Sequence, residues 1–142
     1  MTVSENKAIA QQFCEQIWGK GYLAAVDEFT SNDFQAYYSI FPQALDREAL
    51  KAWFGDIHTA FSDLEFKITD IIGEADKVVI SWTVQGVNAG RITFLNLPPT
   101  MKLIKWTGMT IYRLSEGKIV EEKGEEDALS VMQQLGLIKN SP

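Results

Sequence analysis

The chain of 142 residues carries 13 basic and 19 acidic side chains, which gives a net charge of −6 at neutral pH. Such a charge opposes binding to nucleic acids or anionic lipid surfaces, so neither is an expected partner. The single cysteine, Cys14, and single histidine, His58, exclude an internal disulfide framework and any site that needs two imidazoles. The N-terminus has no apolar signal segment, and no run approaches the roughly 18 apolar residues of a membrane span. We therefore expect a cytoplasmic protein with one domain over residues 1–142.

Helical spacing dominates the first part of the chain. Apolar residues recur at helical intervals over Glu5–Trp18, where Ser4 is the predicted N-cap. A shorter helix is predicted over Tyr22–Phe29. Asp46 is the predicted N-cap of a third helix, Arg47–Phe61, which has a strongly apolar face.

The second part of the chain has the alternation that is typical of strands. After the polar residues 30–33, an early extended segment is predicted, and four more strands follow the helices. The predicted strands are Phe34–Phe41, residues 64–69, Val78–Val87, Leu103–Leu114 and Ile119–Glu125. Asp127 then caps a closing helix, Ala128–Leu135. Helices that precede a run of strands predict an α+β fold, in which helices cover one face of an antiparallel sheet.

His58 is the first of two features that could carry chemistry. It lies on the apolar edge of the third predicted helix, one turn after Phe54 and one turn before Phe61. One interpretation is a half-buried histidine that bonds a backbone carbonyl. The other is a proton carrier, since an imidazole titrates near neutral pH.

The second feature is an acidic run at the end of the last predicted strand, over residues 121–127. Strict alternation would place Glu121, Lys123, Glu125 and Asp127 on the face of Ile119, and Glu122 and Glu126 on the face of Val120. Such runs are usually solvated, and Asp127 already serves as a helix cap. Alternatively, a carboxyl at the rim of an apolar pocket would have a raised pKa, as acid–base catalysis requires.

Several short segments, in order and spacing, resemble the SnoaL-like polyketide cyclase family of the NTF2-like superfamily. They begin with residues 61–64, 76–79 and 82–83 and the stretch Leu97-Pro98-Pro99-Thr100. They continue with Thr107-Gly108, Ile111-Tyr112-Arg113 and residues 117–121, and they end with residues 127–129 and 133–136. The resemblance covers nearly the whole chain.

This resemblance implies a cone-shaped α+β fold, in which N-terminal helices cover a strongly curved antiparallel sheet and a short C-terminal helix follows. Family enzymes act on hydrophobic small molecules by acid–base chemistry, without a metal or an organic cofactor. The family's acids correspond here to Asp127 and Glu121. In this chain, Lys123 stands where the family often has Trp, and Asn88 stands where it often has His. A family His of the first strand is replaced by Tyr37 or Tyr38.

Three functions remain open at this stage. In the first, a cofactor-independent cyclase, isomerase or hydrolase uses Asp127, assisted by Glu121 and His58. The residues expected to bind its substrate are Tyr37, Tyr38, Trp53, Phe54, Trp82, Asn88, Trp106 and Lys123. In the second, the cone binds an apolar ligand without catalysis. In the third, the chain is an interaction scaffold; a homodimer through the outer sheet face is compatible with all three functions.

Overall fold

The protein folds as a curved five-stranded sheet with helices packed on one face. The computed structural model describes residues 1–139. The helices are α1 (Val3–Cys14), α2 (Ala25–Phe29), α3 (Arg47–Ala60) and α4 (Ala128–Gln134). The strands are β1 (Thr30–Tyr38), β2 (Ser62–Glu74), β3 (Lys77–Val87), β4 (Leu103–Ser115) and β5 (Lys118–Glu126). This arrangement confirms the predicted α+β class. Within residues 1–139, no helix combines the length and apolar character that crossing a membrane requires.

The strands lie in the order β1-β5-β4-β3-β2. Neighbouring strands from β2 to β5 are antiparallel, as the order of helices and strands predicts, whereas β1 pairs with β5 in parallel. β1 precedes α3 in the chain and forms the edge of the sheet beside β5, the last strand. Both the end of β1 and the acidic end of β5 therefore reach the same region of the molecule.

The helix starts and strand ends differ in detail from the predictions. Thr2, and not Ser4, caps α1: its hydroxyl accepts a hydrogen bond from the Glu5 amide at 3.1 Å, and Glu5 returns the bond in a capping box. Residues 30–33 do not separate α2 from the first strand but form its beginning. Beyond α1, the wider π-helical turn Glu15–Gly19 carries Ile17 and Trp18 into the core.

Trp18 lies at the centre of the aromatic core between the helices and the sheet. Its ring centroid is 4.9 Å from that of Phe54, 5.0 Å from that of Trp82 and 5.6 Å from that of Phe66. The Trp18 ring centroid also lies 6.4 Å from that of Trp106, so this core borders the space that remains open near α4 and the end of β5.

Candidate active site

An apolar cavity of about 360 Å³ opens between α3, α4, the end of β5 and the loop that follows β3. The residues that line it are Ile40, Trp53, Ile57, Phe61, Ile92, Phe94, Leu95, Trp106, Glu126, Ala128, Val131, Met132 and Leu135. Among these residues, Glu126 alone carries an ionisable side chain. The volume lies at the lower end of the range for small-molecule sites, and one polar group in an apolar wall is typical of such sites.

A β-bulge in β5 decides which acids face this cavity. Arg113 pairs with Glu121 and the next residue, Leu114, pairs with Ile119, so Val120 is an extra residue in β5. The extra residue reverses the alternation along the strand. Ile119 therefore shares its face with Glu122, Gly124 and Glu126, and not with Glu121 and Lys123 as strict alternation predicts.

Glu126 meets the cavity at the end of β5. Its Oε2 atom is shielded from solvent, and it receives no hydrogen bond from any residue between 1 and 139. Burial raises the pKa of Glu126 from 4.5 to about 7, because a desolvated carboxylate loses its hydration. The side chain is therefore poised to hold or to release a proton near neutral pH.

Glu122 lies deeper on the same face and is fully buried. The Tyr38 hydroxyl donates a short hydrogen bond to Oε2 of Glu122, whereas Oε1 has no partner among the described residues. Burial raises the pKa of Glu122 to about 7, and the bond from Tyr38 opposes this rise. Burial also raises the pKa of Tyr38 well above its usual value, so its hydroxyl stays protonated.

Gly124 separates the two inward-facing acids, and its lack of a side chain makes room for an aromatic ring. A Cβ atom at this position would collide with the ring of Tyr38. The ring therefore lies directly over the strand, and its hydroxyl reaches back to Glu122. The Tyr38 ring also packs edge-on against Trp53, with centroids 4.6 Å apart, and so connects the buried acid to the cavity wall.

A buried thiol extends the polar cluster below the cavity. Cys14 Sγ lies 3.1 Å from the hydroxyl of Tyr112, which is directly opposite Glu122 on β4. Burial raises the pKa of Cys14 to about 12. The thiol is therefore protonated and inert at neutral pH, in contrast to a reactive cysteine.

The two acids that the family resemblance suggests lie away from the cavity. Asp127 is exposed and caps α4, where its carboxylate accepts a hydrogen bond from the Ser130 amide at 3.0 Å. Glu121 points to the opposite face of the sheet, where its carboxylate oxygens lie 3.9 Å from a guanidinium nitrogen of Arg113 and 3.6 Å from Nζ of Lys123. The position at the cavity that we expected for Asp127 is occupied by its neighbour, Glu126.

His58 and Asn88 both bond the backbone. His58 Nε2 donates to the Ile17 carbonyl at 2.8 Å, which matches the first of the two interpretations of its position. Asn88 is fully buried, donates to the carbonyls of Ala60 and Gly90, and accepts from the amide and hydroxyl of Thr100. Asn88 thus joins the end of α3 to both ends of the loop over the cavity, although it does not line the cavity.

The other residues expected to bind the substrate divide into three groups. Trp53 and Trp106 line the cavity, and Tyr38 lies behind Trp53. Phe54 and Trp82 belong to the core around Trp18, where the Trp82 indole donates to Thr110 at 3.2 Å. Tyr37 and Lys123 are exposed together on the outer face of the sheet, where they are direct partners in the β1–β5 pair.

Sequence reasoning recognised Glu122 and Glu126 as one face of β5 but did not select them as site residues. The signal available was that Glu122 and Glu126 are four residues apart, so they share one face of a strand, whereas Asp127 lies on the other face. Most of the apolar lining was also missed. It comes from α4 and from the loop around a short 3₁₀ turn, Thr93–Leu95, neither of which has a recognisable motif.

Comparison with known proteins places this arrangement in a family. The model of the SnoaL-like polyketide cyclase family matches residues 8–135. The chain belongs to this family. A comparison with curated proteins gives no match.

Solved structures show the same fold. AclR, a proposed hydroxylase from Streptomyces galilaeus, is 22% identical, with a TM-score of 0.88 over 99% of this chain and 87% of that one. A proposed SnoaL-like polyketide cyclase from Jannaschia sp. CCS1 is 22% identical, with a TM-score of 0.84 over 95% and 94% of the two chains. A proposed polyketide cyclase from Acidithiobacillus ferrooxidans is 26% identical, with a TM-score of 0.79 over 96% and 98%.

Proposed function

We propose that this SnoaL-like protein is a cofactor-independent enzyme that performs acid–base chemistry on a hydrophobic small molecule, with Glu126 as the proton carrier. The observation that supports this proposal most directly is that Glu126 lines an apolar cavity, while one of its carboxyl oxygens, Oε2, is shielded from solvent and accepts no hydrogen bond from residues 1–139. A group that is kept desolvated and unpaired is costly to the fold, and such groups concentrate at functional sites.

The proposed reaction begins with proton transfer from carbon. In its ionised form, Glu126 takes a proton from the carbon next to a ligand carbonyl, and the electron pair of the broken C–H bond moves into an enolate. The protonated carboxyl then returns the proton to carbon or to oxygen, which gives isomerisation or prepares ring closure. A pKa of about 7 suits both halves of this cycle at neutral pH. Trp53 and Trp106 form the apolar walls that keep water out.

An exchange assay tests the proposal without knowledge of the natural substrate. The probe is 1-tetralone in deuterated buffer, and NMR follows the loss of its α-protons in the presence of the protein. We expect Glu126→Gln to slow exchange by on the order of a hundredfold, the usual contribution of a general base. Asp127→Asn is the matched control, since Asn also caps helices, and it should leave the rate within about threefold.

Three results would count against this proposal. Exchange that is no faster than in buffer, although 1-tetralone binds, would favour a binding protein that lacks catalysis. Equal exchange by the wild type and Glu126→Gln would remove the acid–base role from Glu126. Loss of exchange in Asp127→Asn with an intact fold would return that role to Asp127.

We also propose that the protein forms a homodimer through the outer face of the sheet. A row of paired residues crosses this face from β2 to β1 and consists of Ile72, Val79, Ile111, Lys123 and Tyr37. Ile111 and Met109 on β4 are 41% and 59% exposed, which is unusual for large apolar side chains in the middle of a sheet. Analytical ultracentrifugation of Ile111→Lys should show a monomer; a monomeric wild type would contradict this proposal.

A further inference from the structure

The chemistry of the cavity wall indicates which kind of polar group a ligand presents to it, and the inference below rests on the proposed ligand-binding role of this cavity. No lysine, arginine or histidine is among the cavity-lining residues within 1–139. Lys123 points to the other face of the sheet and lies 3.6 Å from Glu121, and the His58 ring nitrogen bonds the Ile17 carbonyl. An anionic ligand would therefore lose its hydration in the cavity without gaining a positive partner.

The acids below the cavity add to this asymmetry. Glu122 is buried on the same face of β5 as Glu126, and the whole chain carries a net charge of −6. The Tyr38 hydroxyl that donates a hydrogen bond to Glu122 carries no positive charge and so does not neutralise this acid. The local field therefore attracts a cation and repels an anion.

Aromatic rings complete a site of this charge type. Trp53 and Trp106 both line the cavity that Glu126 enters, together with Phe61, whose ring centroid is 5.2 Å from that of Trp106. The faces of indole rings attract cations, most strongly where water is excluded. Glu126 shares the cavity lining with these rings, and its Oε2 atom has no hydrogen-bond partner among residues 1–139, so a positive group on the ligand would complete the site.

We infer that the cavity binds apolar amines, with the ammonium group at Glu126 and the hydrocarbon body between Trp53, Trp106 and Phe61. The ammonium donates its hydrogen bonds to the Glu126 carboxylate, whose Oε2 atom receives none from residues 1–139. The volume of about 360 Å³ limits the ligand to a small molecule. The ammonium group of an amine replaces the water molecules that Glu126 loses on folding and adds a positive charge, whereas an alcohol or a hydrocarbon adds no charge.

The test uses three ligands that share one hydrocarbon body, namely 1-naphthylmethylamine, 1-naphthalenemethanol and 1-naphthoate. Isothermal titration calorimetry near pH 8, where most of Glu126 is ionised, should give the amine about tenfold tighter binding than the alcohol. Binding of the carboxylate should be at least about tenfold weaker than that of the alcohol, because its charge has no partner in the cavity.

Two variants that change the net charge equally show whether Glu126 is responsible. Glu126→Gln should remove the preference for the amine and leave the affinity for the alcohol within about threefold. Glu125→Gln is the control, since Glu125 is exposed and accepts a hydrogen bond from Ser39 at 2.6 Å, away from the apolar cavity. It should keep the preference of the wild type.

The inference is overturned if the alcohol binds as tightly as the amine, if the carboxylate binds as tightly as the alcohol, or if the two variants behave alike. Binding of the alcohol distinguishes failure of the amine preference from failure of the proposed function. Alcohol binding without amine preference removes only the charge selectivity, whereas amine preference without exchange of tetralone protons removes only the catalysis. A cavity that takes none of the three ligands overturns the inference.

Discussion

The two faces of β5 carry the same residue type in opposite environments. On the outer face, Glu121 lies beside Arg113 and Lys123, and Glu125 accepts a hydrogen bond from Ser39. On the inner face, burial desolvates Glu122 and Glu126 and raises their pKa values to about 7. The comparison shows that burial, and not the density of acids in the sequence, selects the carboxyl groups that can exchange protons at neutral pH.

The largest expected effect on stability comes from a side chain at Gly124, on the inner face of β5. Gly124→Ala would place a methyl group against the Tyr38 ring and move the hydroxyl away from Glu122. Overpacking and the lost hydrogen bond together should lower the free energy of unfolding by about 4 kcal/mol. Urea denaturation measures this change.

Gly19→Ala is the control for this substitution, because a Cβ atom at Gly19 would have no heavy atom within 4 Å. It should change the free energy of unfolding by less than about 1 kcal/mol. Equal destabilisation by the two substitutions would show that the position of the Tyr38 ring does not require the absence of a side chain at Gly124.

The next effect concerns the pH dependence of stability. The pKa of Glu122 is about 7 in the folded protein, whereas its ordinary value of 4.5 applies to the unfolded chain. The folded state therefore binds the carboxyl proton of Glu122 more tightly than the unfolded state does. The contribution of Glu122 is therefore intact below pH 4.5, decreases between pH 4.5 and 7 and is lost above. A shift of this size corresponds to about 3 kcal/mol.

Glu122→Gln removes the ionisation and keeps an oxygen that can accept the bond from Tyr38. Relative to the wild type, the variant should gain about 3 kcal/mol between acidic pH and pH 8, measured by urea denaturation at several pH values. A pH profile identical to that of the wild type would mean that Glu122 ionises freely in the folded state.

The smallest effect is expected at the exposed acid that follows Glu126. Asp127→Ala removes the cap of α4 and should lower the free energy of unfolding by about 1 kcal/mol. Asp127→Asn should restore most of this loss, and thermal unfolding distinguishes the two variants. A loss well above this value, shared by Asp127→Asn, would indicate that the carboxylate has a role beyond the helix cap.

Local patterns in the sequence predict much of the fold. The capping positions of Asp46 and Asp127, the apolar face of α3 and the β-branched residues of β3 are each visible in short segments, and the structure has the helices and the strand that they predict. Family resemblance adds the cone, which no single segment encodes. The start of β1 was missed because its polar residues 30–33 resemble a turn, although pairing with β5 holds this strand in the sheet.

The site was less predictable because it depends on contacts between distant segments. The bulge at Val120 follows from pairing with β4 and reverses the faces of β5, so alternation alone puts Ile119 with the wrong acids. Trp53 and Phe54 are adjacent on one helix, yet one lines the cavity and the other packs on Trp18. Such a difference is decided by what packs against each face of the helix and not by the helix itself.

The most direct test of the account is the pKa of Glu126, measured by carboxyl NMR on ¹³C-labelled protein, with Glu126→Gln to assign the resonance. We expect a titration midpoint of about 7, because burial beside an apolar cavity disfavours the charged form of the carboxyl. A midpoint at the ordinary value of 4.5 would show that water reaches this group freely, and it would contradict a desolvated acid at the centre of the site.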